Sequence, residues 1–383
     1  EAREDPMHRK YLSIALIGAT ALLGACGDDA ATTEPAPVTT APAATGPDES
    51  MPQAIVSLSP THTEMLYALG AVDQVLAVDN MSNYPPEAAD KMNGIEAFQP
   101  SVEAIADLEP DLVIVQGGYA DLMAKVVSGA DWILADALGV EAIDEVAWSL
   151  VQGELASALS GPEALVGGDA AAFSRLVEGL MMSGLAMQWT GTSRPASGAE
   201  HQFSHLWDME HYVYKGEAPS HGFKVGVATH FISWVYEQLL REPLDQLDVA
   251  AACARWRPES EVDAEARQIF KSEEIQELAR RERAAKHVTR EELADQLNLL
   301  RTVWPELRGR LQRQLLPSAE IRRRLAAVGA PDRPEAIGIT RERMADCAWR
   351  AQQIRRRFTV LDFALRTGLL QDILARYREH GDE

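Results

Sequence analysis

Three passages concentrate the side chains that could do chemistry: DLMAKVVSGADWILAD at 121–136, SRPASGAEHQFSHLWDMEH at 193–211 and SHGFKVGVATH at 220–230. They bring carboxylates and imidazoles together with a few cations. A divalent cation held by one carboxylate and two imidazoles, with one position left open, is the pattern of a catalytic site rather than a structural one. The open position can take a substrate hydroxyl. A lone histidine on a helix is ordinarily a hydrogen-bonded core residue, so the weight rests on the passages jointly.

Helices suit such a site, because ligands on separate helices can point into one shared interior. Residues 119–383 read as long amphipathic helices with short breaks, about ten in all. Stop and start signals punctuate them: Thr289 with Glu292, Ser318 after Pro317, Gly329 before a proline-containing turn, and Thr359 with Asp362. Trp207 and Met209 read as core. The arginine runs 322–324 and 355–357 read as solvated helix faces.

Upstream the texture differs. AIVSLSP (54–60), QVLAVD (74–79) and LVIVQGG (112–118) read as buried strands, with helices over 61–70 and 101–110. Strand, helix, strand, helix, strand implies a parallel sheet. The expected fold is therefore multidomain: a small parallel α/β lobe at 51–118 followed by a larger all-α metal-binding domain at 119–383. The turn SLSPTHTE has no glycine to let a pyrophosphate approach the backbone. Asp79 alone, at the end of the second strand, is a weak sign of dinucleotide binding.

The formal charge of −22 argues against nucleic acid or an anionic membrane surface as a bulk partner. Cys26, Cys253 and Cys347 form no CxxC pair, and the last two read as buried free thiols. Residues 7–26 run from His8, Arg9 and Lys10 through an apolar stretch to Leu23-Gly24-Ala25-Cys26. That is the layout of a secretory signal, too short for a comfortable transmembrane helix of about 20 apolar residues. The ending resembles a bacterial lipobox, which implies acylation of Cys26 and a membrane-anchored protein on the periplasmic or extracellular face. Residues 1–6 precede the apparent initiator Met7. Residues 27–50, rich in Ala, Thr and Pro, read as a disordered tether.

Two family resemblances follow from quoted motifs. SLSPTHTEMLYALG, SNYPPEA and QPSVEAIADLEPDLVIV, in that order, resemble the first lobe of cobalamin and iron-siderophore binding proteins that feed ABC importers. The resemblance implies permease docking through Glu103 and a ligand cleft near Phe98; a solvated acid at a helix N-terminus is the alternative for Glu103.

The helical part resembles the carboxy-terminal half of sn-glycerol-1-phosphate dehydrogenases, relatives of glycerol dehydrogenase and dehydroquinate synthase. The motifs are the three passages above together with APDRPEAIGIT and IRRRFTVLDFALRTGLL. It implies that Asp121, ten residues before Asp131-Trp132, His201 at the end of SGAEH, and His221 opening HG-x-x-VG ligate a divalent metal: zinc first, nickel or iron as alternatives. Ala120 stands where the family has glycine. His205, one turn after His201, is assigned a catalytic, substrate-side role or, equally, a supporting one. Lys125 and Arg194 could pair with a substrate phosphate, or be solvated or ion-paired.

The implied chemistry is oxidation or reduction of a small phosphorylated polyol, with the metal as Lewis acid and a nicotinamide, NAD(P), as hydride carrier. The nicotinamide domain of that family is not found upstream, so the chain reads as two partial halves meeting near Asp121 and of doubtful activity. An exported anchor also conflicts with a cytoplasmic cofactor pool. The alternative function is an ABC-importer solute-binding lipoprotein. The dehydrogenase resemblance also implies a homo-oligomer.

Overall fold

A computed structural model of the chain describes residues 52–95, 104–105, 107–115 and 118–381. Cys26, Phe98 and Glu103 lie outside them, as do the lipobox and the tether. The described chain divides into two compact units between residues 116 and 117.

The smaller unit is built on three short parallel strands, β1 (Ile55–Leu58), β2 (Val75–Val78) and β3 (Leu112–Val115), in the order β2-β1-β3. Ile55 pairs with Val75 on one side and with Leu112 on the other. Successive residues of β1 feed different cores. Ile55 packs with Leu66, Val75, Val78 and Leu112, whereas Val56 and Leu58 pack with Ala77, Ile95 and Ile105. Every position of β1 is buried, Ser57 among them, as in a sheet covered on both faces. Helix α1 (Pro60–Ala68) follows β1 and stops before Gly70, whose φ of +77° only glycine adopts without strain. Asp111, just before β3, accepts the backbone N–H groups of Gln53 and Ala54 at 2.7 and 2.9 Å and ties the two strand entrances together.

The larger unit is helical. Sixteen α-helical segments occur among its described residues, against the ten expected, because several are only one or two turns long. Those that build the site and the core are α2 (Tyr119–Met123), α3 (Lys125–Ala137), α4 (Ala199–Met209), α5 (His221–Arg241), α6 (Glu273–Ala284), α7 (Arg290–Gln314), α8 (Arg341–Ala351) and α9 (Val360–Arg366). Helix α5 is buried continuously from Lys224 to Tyr236. A helix buried around its whole circumference lies in the interior of its domain. Its Phe231 meets Phe203 and Tyr377 edge-on, with ring centres 5.5 and 4.7 Å apart. Trp207 is fully buried, as expected, and places its indole N–H 3.1 Å from Cys347 Sγ. Each fully buried side chain of this kind contributes roughly 1.5–3 kcal/mol.

Some expectations need correction. Thr289 and Glu292 form a reciprocal capping box, and the Asp362 carboxylate accepts Thr359 N–H at 3.0 Å. Ser318, however, is the first helical residue and not the cap; its N–H donates to Glu237 at 2.7 Å. Residues 355–357 lie in the turn between α8 and α9 rather than on a helix face. Cys347 is buried, but Cys253, on the short helix Val249–Arg255, is only half-buried.

Candidate metal and substrate site

Asp121, His201 and His221 come from three different helices. Asp121 is the third residue of α2, and its Oδ2 accepts the Gly118 N–H at 2.9 Å, so the helix's own N-terminus fixes the carboxylate. The other oxygen, Oδ1, lies 3.7 Å from His221 Nε2. His221 opens α5 directly after Ser220, whose hydroxyl caps that helix by accepting Phe223 N–H. The next residue has to be small. A methyl group at Gly222 would stand 2.8 Å from Asp121 Oδ2.

His201 lies in the first turn of α4, and its ring centre is 5.3 Å from that of His221, with the planes inclined at 54°. Each imidazole has one nitrogen engaged. His201 Nδ1 is 2.7 Å from Glu200 Oε1, and His221 Nδ1 is 3.1 Å from Ser204 Oγ. In both rings Nε2 is left for another partner. A carboxylate or hydroxyl behind the ring is how a ligating histidine is oriented and made more basic.

Burial keeps these rings neutral. It holds His201 well below the usual imidazole range, reinforced by the Lys125 charge. His221 is lowered for the same first reason, and His205 falls to about 3, with Arg355 adding to the effect of burial. Neutral imidazoles offer lone pairs, which a cation requires.

One carboxylate and two neutral imidazoles are donor types that a divalent cation takes. Ligand atoms of a tetrahedral zinc centre are about 3.4 Å apart, given bonds of about 2.0–2.2 Å. The 3.7 Å from Asp121 to His221 is close to that value. Yet among the described residues no three His, Cys, Asp or Glu side chains close around a common point. Asp121 and His221 stand as a near-formed pair, with His201 beside them.

Behind His201 lies an acid pair whose role was not read from the sequence. Glu200 is fully buried, accepts Gly198 N–H at 2.8 Å, and is pushed up to about 7 by burial. Asp131, also fully buried and raised to about 7 by burial, accepts Ala199 N–H at 2.7 Å through Oδ2. Its Oδ1 accepts the Tyr236 hydroxyl at 2.6 Å and Val360 N–H at 2.8 Å. One side chain thus fastens the starts of α4 and α9 to α5. A methyl at Gly198 would lie 2.6 Å from Asp131 Oδ2 and 2.7 Å from Glu200 Oε2, so only glycine fits between them.

The expected phosphate partners are both engaged. Lys125 is buried and donates to the Ala196 carbonyl at 2.6 Å; burial lowers its pKa, while Asp121 and Glu200 oppose the shift. Arg194 is buried and donates to the carbonyls of Phe358 and Asp131, both at 2.9 Å, with Glu141 3.3 Å away. Of the two readings left open for Arg194, the geometry matches the ion-paired crosslink. Arg357, read as solvated, instead donates to the Ser193 and Ser197 carbonyls and steadies the approach to α4. His205 is half-buried on α4 one turn beyond His201.

Glu200 escaped sequence reading because residues adjacent along a helix ordinarily point apart. Its only signal was an acid directly before a candidate ligand. Arg357 carried no signal, since its partners are more than 150 residues away in sequence.

Comparison with known proteins bears on both halves of the chain. Residues 55–135 match the periplasmic binding protein family. That match continues past the division between the two structural units and includes Asp121. The chain is also 34% identical over 132 residues to glycerol-1-phosphate dehydrogenase [NAD(P)+] of Halalkalibacterium halodurans, covering 34% of this chain and 33% of that protein. The Archaeoglobus fulgidus enzyme of that name is 35% identical over 161 residues, covering 40% and 44%. That of Geobacillus stearothermophilus is 33% identical over 135 residues, covering 35% and 33%. The chain thus spans about a third of the length of the first of these relatives and under half of the others. Both resemblances read from the motifs stand, the second over a shorter stretch than residues 119–383.

Proposed function

We propose that the helical unit is the metal- and substrate-binding part of an NAD(P)-linked oxidoreductase acting on a small phosphorylated polyol, with glycerol 1-phosphate or dihydroxyacetone phosphate as the substrate pair. The observation that carries this is the convergence of Asp121 and His221, with His201 alongside, from three separate helices, the first of them well upstream of the other two. Asp121, His201 and His221 would hold a divalent cation, zinc foremost. When bound, the cation supplies Lewis acidity to an oxygen on the carbon that exchanges hydride.

The chain's own residues do the rest. Gly118 N–H holds the Asp121 carboxylate in place. Glu200 and Ser204 fix the two ring orientations, and the depressed pKa values keep both lone pairs available at neutral pH. Lys125 has one N–H on Ala196 and two others that can meet a phosphate. His205, which burial lowers to about 3, stays neutral and can offer a hydrogen bond to a substrate oxygen without carrying charge into the site.

The test is metal content. Full-length protein, loaded with zinc and dialysed, should retain about one equivalent by mass spectrometry, and Asp121→Ala and His201→Ala should each lose it. Wild-type protein that retains none would end the proposal. Glycerol-1-phosphate oxidation with NAD(P)+ would then be measured on the loaded protein.

The match of residues 55–135 to periplasmic binding proteins supports a second reading for the smaller unit: part of an ABC-importer solute-binding lipoprotein for cobalamin or a ferric siderophore, anchored through Cys26. Calorimetric titration with cyanocobalamin and a ferric hydroxamate distinguishes it, since heat with neither argues against it.

A further inference from the structure

Of the three arginines in the turn between α8 and α9, two have protein partners. Arg356 gives its guanidinium and its backbone N–H to Glu282 at 2.9 to 3.0 Å, and Arg357 gives Nη1 to the Ser197 carbonyl at 2.6 Å. Arg355, half-buried, makes no hydrogen bond or ion pair among the described residues.

Its place in the fold is fixed nonetheless. The turn is held on either side of it: Gln353 Oε1 accepts Arg283 Nη1 at 3.0 Å, and the Phe358 carbonyl accepts Arg194 Nη1 at 2.9 Å. Ser197 stands two residues before α4, so the Arg357 bond brings the turn up against the start of the helix that carries His201 and His205. Arg355 is the charge that acts most strongly on His205, and the two imidazoles of the proposed metal site come next. His205 is thus a neighbour of both.

The same side of α4 lacks a polar partner. Gln202 lies three residues before His205, which makes the two neighbours on the helix surface. It is 2% exposed, and neither its amide nitrogen nor its amide oxygen has a hydrogen-bond partner. A buried group left unpaired costs about 1–3 kcal/mol, which a ligand with hydroxyl and oxyanion groups removes. Asp208, the acid that acts on His205, is paired with Lys224 and not with Arg355. A guanidinium is always charged, and its planar fork matches two oxygens of a phosphate. Neutral His205 and the Gln202 amide can meet further oxygens without adding charge.

We propose that Arg355 binds the phosphate group of the substrate, with Gln202 and His205 as the polar groups between it and the metal site, and so selects a phosphorylated polyol over an unphosphorylated one. This rests on the polyol-phosphate reading of the helical unit. It moves the phosphate contact from Arg194, whose guanidinium is taken by backbone carbonyls, to Arg355.

Calorimetric titration of the full chain, with zinc content measured on the same samples, tests it. Glycerol 1-phosphate should bind the wild type, and Arg355→Gln should weaken it by roughly 10–100-fold, as expected for loss of a charge-assisted pair. Glycerol should bind more weakly than its phosphate and equally to both proteins. Arg355→Lys, which keeps the charge without the fork, should fall between them and serves as the variant should Arg355→Gln not fold. Equal glycerol 1-phosphate affinity in wild type and Arg355→Gln would overturn the proposal. So would an equal loss for glycerol, since damage shared by both ligands is structural. Wild type that holds zinc yet gives no heat with glycerol 1-phosphate or inorganic phosphate overturns the arginine site alone. If the wild type keeps no zinc, the metal reading fails by itself and inorganic phosphate becomes the probe. Binding that Arg355→Gln abolishes then upholds the site, and no binding to the wild type ends it.

Discussion

At the scale of single residues, the site depends on partners more than on its ligands. Each imidazole points usefully because one nitrogen is held, His201 by Glu200 and His221 by Ser204. Glu200→Gln keeps the size and an acceptor oxygen but removes the charge behind His201. Zinc affinity, measured by competition with a chromophoric chelator, should fall by roughly 10–100-fold with stoichiometry preserved at saturation. Unchanged affinity would mean that Glu200 only packs. A second acid offers a pH signature. Glu282 receives both Arg356 guanidinium and backbone donors, which lower its pKa from 4.5 to about 2. Its folded value lies below its unfolded one, so its contribution is complete above about pH 4.5 and is lost as pH falls toward 2. Denaturant titrations should show Glu282→Gln weaker than wild type at pH 7 and the two converging near pH 2.

At the scale of elements, helix starts do most of the positioning. Asp131 fastens the first turns of α4 and α9, Ser220 caps α5, and Gly118 begins α2. Each of these caps stands beside a proposed ligand or its support. Helix α7, by contrast, is capped by Thr289 and Glu292, neither of which bonds a proposed ligand, which makes the cap a clean probe of local stability. Thr289→Ala removes the hydroxyl that accepts Glu292 N–H and should cost about 1 kcal/mol in chemical denaturation without altering metal binding. A loss of metal in that variant would show that the helices are coupled more tightly than their caps suggest.

At the scale of the whole molecule, the two units have separate cores. Ile55, Val75 and Leu112 pack among themselves, and the large cluster around Phe203, Trp207 and Phe231 draws only on the helical unit. Separate cores unfold separately unless an interface joins them. Scanning calorimetry of the full chain should resolve two transitions, the smaller belonging to the sheet. A single transition with equal calorimetric and van't Hoff enthalpies would refute this independence.

Much of the architecture was legible in the residues. Strands β1 to β3 stood out as apolar runs bounded by turn signals, and the Thr289–Glu292 and Thr359–Asp362 caps were visible as pairs three residues apart. Such features are local: periodicity and capping act within a few residues, so the order of residues alone determines them. The motif passages also marked Asp121, His201 and His221. What only the tertiary structure decided is which groups stand behind and between them. Glu200 turns inward beside His201, Gly198 and Gly222 leave room for carboxylates from distant helices, and Arg194 and Arg357 are drawn into backbone carbonyls rather than left to solvent. The physical reason is common to all of them. Burial decides whether a charge must find a partner, and burial is set by packing between segments that the sequence holds far apart.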